Sequence, residues 1–157
     1  MSKSTRATLA LTKAGVSFTT HTYVYDADAD SIGLAAAAAL GEDPGCVLKT
    51  LMVLLDGKPA CAILPSDCEV AMKKLAAALG GKSAQMMKPA DAERISGYKV
   101  GGISPFGQTR AVPVAIEEAA LAPPYIYING GQRGLQIRLS PGDAMRVLNA
   151  KAAAIIA

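Results

Sequence analysis

A chain of 157 residues that is 51% apolar carries enough hydrophobic material for one continuous core. Aromatic residues make up only 4% and Trp is absent, which argues against a base-stacking module and leaves Ala, Val, Leu, Ile and Met to fill the interior. A formal net charge of +3 permits a polyanionic partner, yet no basic tail or Arg-rich run marks a dedicated nucleic-acid binder.

Taken in chain order, Ser4 is positioned to cap a first helix whose apolar surface is Ala7, Leu9, Ala10 and Leu11 and whose stop is Gly15. Phe18 to Tyr25 mixes aromatic and β-branched residues and reads as strand. Ser31 precedes an alanine-rich helix ending at Leu40 and Gly41, and Asp43-Pro44-Gly45 forms a turn. Cys46 to Leu55 is apolar on both faces except at Lys49 and Thr50, and Asp56-Gly57 with Cys61 to Leu64 completes a central hairpin. Ser66 or Asp67 then opens a helix through Leu75 and Leu79, closed by Gly80-Gly81. A short strand near Ala84 to Met87 leads to a helix begun by Pro89 and reaching Ile95. Beyond the glycine-rich stretch from Gly97 to Gly107, three more strands are expected at Val112 to Ile116, Tyr125 to Ile128 and Leu135 to Leu139. Ser140-Pro141 with Asp143 supplies an N-cap, a first-turn proline and an acidic N3 for a closing helix to Leu148. Ala152 to Ala157 carries no readable signal.

These elements define an α+β (mixed α/β) fold, one domain over residues 1–157. The expected architecture is a central, largely antiparallel mixed sheet or partly closed barrel of six to seven strands flanked by four to five helices. The three cysteines, Cys46, Cys61 and Cys68, follow no Cys-x-x-Cys spacing and with the single His21 make a poor zinc set, so reduced thiols and no metal or cofactor are expected. The run Ala35 to Ala39 is far too short to cross a bilayer and no leader pattern is visible, so a cytoplasmic location without membrane contact is the expectation.

Lys49 is the most informative residue. Strand alternation places it with Val47, Leu51 and Val53, opposite Leu48, Met52 and Leu54. Such an ammonium either snorkels into solvent from the strand start or lines a cleft, where it would bond a phosphate, a ribose hydroxyl or a developing oxyanion. The segment Gly101-Gly102-Ile103-Ser104-Pro105-Phe106-Gly107 is either an ordinary turn or a stiff loop whose backbone N–H groups approach a ligand. It lacks the Gly-Lys-Ser/Thr ending of a phosphate-binding P-loop. Asn129-Gly130-Gly131-Gln132-Arg133-Gly134 reads as a hairpin turn from which Arg133 could reach a phosphate. His21, Tyr23 and Tyr25 share one strand face, but no acidic residue nearby in sequence orients the histidine and no Gly-x-Ser-x-Gly elbow is present. An enzyme with this inventory would draw much of its reactivity from its substrate.

Phe18-Thr19-Thr20-His21-Thr22-Tyr23, Lys49-Thr50-Leu51, Gly97-Tyr98, Gly101 to Gln108, and Ile128 to Leu135 together resemble the YbaK/EbsC family, in the same order and over nearly the whole chain. The motifs look most like the branch that deacylates Cys-tRNA(Pro), or Cys-tRNA(Cys), in trans, related to the editing insertion domain of prolyl-tRNA synthetases. The resemblance implies a YbaK-like fold, Lys49 as the essential lysine, Tyr23 as a pocket tyrosine, and Gly101 to Pro105 as the substrate loop, with Gly101 and Gly102 among its catalytic backbone. Thr50, Ile103, Ser104, Asn129, Gly130, Gly131 and Arg133 would line or border the same site, and Asn129 stands where that branch usually has serine. The implied chemistry is attack of the cysteinyl thiol on its own ester, with mischarged tRNA as partner and prolyl-tRNA synthetase in a transient ternary complex. Two other readings stay open: hydrolysis of Ala-tRNA(Pro) or Ser-tRNA, as in sister branches, and a non-catalytic nucleic-acid-binding or regulatory role. For the latter, no helix-turn-helix with a basic face is visible and no specific DNA partner is expected.

Overall fold

The computed structural model describes residues 4–29 and 31–157. In chain order they form α1 (Arg6–Lys13), β1 (Thr19–Thr22), α2 (Ile32–Leu40), β2 (Leu48–Leu55), β3 (Lys58–Pro65), α3 (Met72–Ala78) and β4 (Ala84–Met86). There follow α4 (Pro89–Ser96), β5 (Val114–Glu117), β6 (Ile126–Asn129), β7 (Leu135–Leu139), α5 (Pro141–Leu148) and β8 (Lys151–Ala153), with short 3₁₀ turns at Pro44–Cys46 and Glu118–Leu121. The β2–β3 hairpin turns at Asp56-Gly57, both at positive φ (50° and 83°), as the tight turn that best matches strand twist requires.

Two sheets result. One has the order β4-β2-β3-β5-β8, with β2 antiparallel to both β3 and β4 while β5 runs parallel to β3 and to β8. The other is the antiparallel β1-β7-β6, and a bridge between Val47 and Tyr127 joins it to the start of β2. Period-2 alternation explains the core between them: Leu48, Met52, Cys61 and Ile63 from the first sheet meet Ile126, Ile128, Ile137 and Leu139 from the second. The opposite face of the first sheet, with Val53, Ala62, Leu64 and Ala115, is covered by Leu75 of α3 and by Ile155. A third cluster seats Ala36 and Ala37 of α2 on Val47 and Tyr127, where only small side chains permit so close an approach.

The capping logic of the sequence holds for α2, where the Ser31 hydroxyl accepts from Leu34 N–H and Gly41 ends the helix at φ 68°. It holds equally for α5, where the Ser140 hydroxyl accepts from Asp143 N–H at 3.2 Å and Pro141 fills the first position. Elsewhere the structure corrects it. Thr5, rather than Ser4, caps α1 through a reciprocal bond pair with Thr8. The third helix starts at Met72 and not at Ser66 or Asp67, because Ser66 is held at the end of β3: its N–H donates to Val47 O at 3.0 Å and its hydroxyl to Pro44 O at 3.1 Å. The described residues form eight strands where six to seven were expected, and the strand that sequence pattern gave no sign of is β8 in the C-terminal tail. That tail is stitched down by the buried Glu117 carboxylate, which accepts from Ile155 N–H at 2.9 Å and Ile156 N–H at 3.3 Å.

Candidate functional site

The site begins with an incomplete sheet edge. Strand β4 covers β2 only from Val53 to Leu55, and below that a single bond from Met87 N–H to Met52 O (3.1 Å) closes the edge, leaving Leu48 to Leu51 open. Around this gap stand the cap and first residues of α2 (Ser31 to Gly33), the β4–α4 junction (Met86, Met87, Pro89, Ala92), the glycine loop (Val100, Gly101, Ile103), and Asn129 and Gln136 of the second sheet. Together they enclose a cleft of about 320 Å³. Gly33 lets α2 begin this close, since a β-carbon there would lie 2.7 Å from Ser66 Cβ.

Lys49 is the one charged residue among the described residues that line the cleft, and it is half-buried, its side chain making no ion pair or hydrogen bond to a described residue. Two of the lining residues each carry a buried side-chain oxygen without a hydrogen-bond partner among the described residues, Thr50 Oγ1 and Gln136 Oε1. A buried polar group left without a partner costs about 1–3 kcal/mol, so each marks a position in the cleft wall where a hydrogen bond is still to be made. Tyr23 lies behind this wall. Its hydroxyl sits beside the Gln136 side chain without a well-formed bond, and burial pushes its phenol above the ordinary value, so the ring presents a neutral O–H.

The glycine loop is held rigidly from several directions. Gly101 has φ 88° and its missing side chain leaves room for the Tyr25 hydroxyl, while Gly102 lies against the Gln132–Arg133 backbone, where a β-carbon would come within 2.7 Å of Arg133 N. Val100 N–H donates to the Glu93 carboxylate at 2.8 Å and Val100 O accepts from Arg133 Nε at 2.9 Å. Gln108 Nε2 donates to Ser104 O at 2.9 Å, and the Tyr98 hydroxyl donates to Phe106 O. Asn129 couples this loop to the next: its Oδ1 accepts from Gly131 N–H at 2.7 Å and its Nδ2 donates to Gly101 O at 3.3 Å.

Of the residues singled out from sequence, Lys49, Thr50, Gly101, Ile103 and Asn129 meet at the cleft. Tyr23, Gly102, Ser104, Pro105, Gly130, Gly131 and Arg133 stand outside its lining. Gly102 N–H is already given to Lys99 O at 2.8 Å, so it is not available to polarise a ligand, whereas no described residue accepts from Gly101 or Ile103 N–H. Ser104 is fully buried and its hydroxyl accepts from Phe106 N–H, and Pro105 borders a different cavity of about 240 Å³ behind the loop. Gly130 and Gly131 pack on Leu135 and Tyr98, and Arg133 stacks over Tyr25 at 5.3 Å. Sequence reasoning missed Gln136, Ile32, Met86, Met87 and Val100. Alternation in Leu135 to Leu139 does set Gln136 opposite the core-facing Ile137, but only the fold shows that this face ends in a cleft.

Comparison with known proteins fixes the class. The family described as "Aminoacyl-tRNA editing domain" matches residues 26–147. A protein of Enterococcus faecalis (strain ATCC 700802 / V583), described as "Putative Cys-tRNA(Pro)/Cys-tRNA(Cys) deacylase EbsC", is 31% identical over 122 residues, covering 77% of this chain and 74% of the relative. The chain belongs to the aminoacyl-tRNA editing domain family and is an enzyme of the aminoacyl-tRNA deacylase class, as its motifs indicated. Two solved structures share the fold. One, described as "a putative trans-editing enzyme for prolyl tRNA synthetase", superposes with a TM-score of 0.82 at 20% identity over 99% of both chains. The other, a protein described only as hypothetical, gives 0.84 at 18% identity over 98% of this chain and 100% of its own.

Proposed function

We propose that this protein clears Cys-tRNA(Pro) by cleaving the aminoacyl ester in the cleft around Lys49. The observation that carries the reading is chemical: Lys49 is the one charged residue among the described lining residues, the Gly101 and Ile103 N–H groups of the lining loop have no described acceptor, and no histidine, cysteine or carboxylate is among the described lining residues. Such a wall can hold and polarise an ester without supplying a nucleophile. The substrate's own cysteinyl thiolate then attacks the ester carbonyl. A C–S bond forms as the C–O bond to the terminal ribose breaks, the thiol proton passes to solvent, the leaving ribose oxygen takes one up, and the products are a cysteine thiolactone and free tRNA. A free thiol with a pKa of about 8.5 is a few per cent ionised near neutrality, and a well-oriented intramolecular attack gains an effective molarity of roughly 10⁵ M or more.

In this reading Lys49 anchors the terminal ribose or phosphate, and Gly101 and Ile103 N–H groups polarise the carbonyl. Thr50, Asn129 and Gln136 orient the aminoacyl group, and the guanidinium nitrogens that Arg133 does not spend on Val100 O meet a phosphate. The whole chain acts as one editing domain in the cytoplasm, and because a net charge of +3 gives little non-specific affinity for tRNA, prolyl-tRNA synthetase presents the substrate in a transient complex. A synthetase pocket rejects a competitor of similar size by only about 1–3 kcal/mol, which is why a second site is needed. The test is product analysis with Cys-tRNA(Pro), Ala-tRNA(Pro) and Ser-tRNA: thiolactone released from the cysteinyl ester alone supports the thiol-assisted route. Free amino acid released from the alanyl or seryl ester assigns the cleft to water-dependent hydrolysis instead.

A further inference from the structure

The peptide units of the glycine loop between Lys99 and Ile103 are all trans, and they differ in how they are held. The Lys99–Val100 unit is bonded at both ends, its carbonyl accepting from Gly102 N–H at 2.8 Å and its N–H donating to the Glu93 carboxylate at 2.8 Å. The Gly101–Gly102 unit is also bonded at both ends, since Gly101 O accepts from Asn129 Nδ2 at 3.3 Å and Gly102 N–H donates to Lys99 O. The Gly102–Ile103 unit has no partner at either end among the described residues. The Val100–Gly101 unit is bonded at its carbonyl alone: Arg133 Nε donates to Val100 O at 2.9 Å, and no described residue accepts from Gly101 N–H. Val100 and Gly101 line the cleft, whereas Arg133 does not.

We infer that Arg133 is a positioning residue for deacylation, holding Val100 O so that the Gly101 N–H is aimed into the cleft at the ester carbonyl. In a planar trans unit the C=O and N–H point in opposite directions, so a donor that grips the carbonyl from outside the cleft lining turns the N–H toward the cleft. The bond also carries charge. A guanidinium N–H draws electron density onto the carbonyl oxygen, and the N–H at the other end of the same amide becomes a stronger donor. Arg133 is itself held: its guanidinium lies over the Tyr25 ring at 5.3 Å, and its backbone nitrogen packs so closely on Gly102 that a β-carbon there would come within 2.7 Å. Ile103 N–H, on a unit without a bond, takes its direction from the ligand, so Gly101 is the pre-organised donor of the two. Only Nε serves the loop in this way, which leaves the terminal guanidinium nitrogens to a phosphate.

This inference rests on the deacylase reading, but one of its readouts does not depend on turnover. Arg133 is exposed and its removal leaves the core untouched, so the Tm of Arg133→Ala should stay close to that of wild type. Single-turnover deacylation of Cys-tRNA(Pro) at saturating enzyme should slow about tenfold in Arg133→Ala, because the carbonyl donor is no longer fixed. Arg133→Lys keeps the charge for a phosphate but neither the Nε–H nor the planar stack. It should hold KM within about twofold of wild type while the saturating rate stays at least about fivefold low. In proton–nitrogen correlation spectra of the free protein, the Gly101 amide proton should move upfield in both variants. A raised KM with an unchanged saturating rate in Arg133→Ala would make the arginine a phosphate ligand alone and overturn the proposal. So would a wild-type saturating rate in Arg133→Lys, or a Gly101 amide that does not move. Failure of the deacylase reading would show separately, as no turnover of any aminoacyl-tRNA by wild type with the Gly101 amide shift still present.

Discussion

Asn129 shows how one side chain can serve the site without reacting. Its amide accepts from Gly131 N–H and donates to Gly101 O, so it fastens two glycine-rich loops that meet at the cleft. Serine, usual in the related branch, has a shorter side chain with one hydroxyl and cannot span the same pair with the same geometry. Asn129→Ala removes both bonds and is expected to lower kcat/KM for deacylation by about 10-fold or more, with a loss of stability of about 1–2 kcal/mol in urea unfolding. Asn129→Ser should fall between the two in rate. An alanine variant with wild-type kinetics would show that Asn129 is dispensable for holding the Gly101 loop.

At the level of elements, two acidic residues hold segments in place. Asp56, at the β2–β3 turn, accepts from Lys82 N–H at 3.0 Å and Ser83 N–H at 2.9 Å, and these bonds hold its carboxyl below the ordinary value. A lowered folded-state pKa contributes stability that is complete above the unfolded value near 3.9 and is lost as pH falls through the folded one. Thermal unfolding of wild type should therefore weaken with acidification in that window, and Asp56→Asn, which keeps the left-handed turn geometry, should show a shallower fall; identical pH profiles would contradict the assignment. Glu117 accepts from Ala119, Ile155 and Ile156 N–H groups while 2% exposed, and so anchors the C-terminal tail beside β5. Glu117→Ala strands those donors and should cost about 3 kcal/mol in urea unfolding, with hydrogen exchange fastest over residues 151–157; a loss below about 1 kcal/mol would mean the tail is held by its apolar contacts alone. The tail is also where the sequence was least legible. Ala152 to Ala157 has no alternation to mark a strand, and it is held by a carboxylate that lies 38 residues before the Ile155 N–H it accepts from. By contrast, the β2–β3 hairpin and the caps of α2 and α5 are local events, written in Asp56-Gly57, Ser31 and Ser140-Pro141, and they fold as read.

For the molecule as a whole, the cleft is a product of topology rather than of any motif. It exists because β4 stops short of the lower half of β2 and because α2, the glycine loop and the second sheet converge on the edge left open. Alternation separates Lys49 from Leu48 and Met52, but its standing at a cleft wall follows only from that missing neighbour, since residues of both faces of β2 line the open edge. Gln136 was invisible as a site residue for the same reason, and Pro105 and Ser104, close in sequence to Ile103, belong to the loop's interior. The central claim, that the ester is cleaved where Lys49 stands, is tested most directly by single-turnover deacylation of Cys-tRNA(Pro) by wild type and Lys49→Ala, with Tm measured on both. The account predicts a rate loss of at least about 100-fold, roughly 2.7 kcal/mol of transition-state stabilisation, at unchanged Tm. A Lys49→Ala protein that deacylates at the wild-type rate would contradict it and place the chemistry elsewhere.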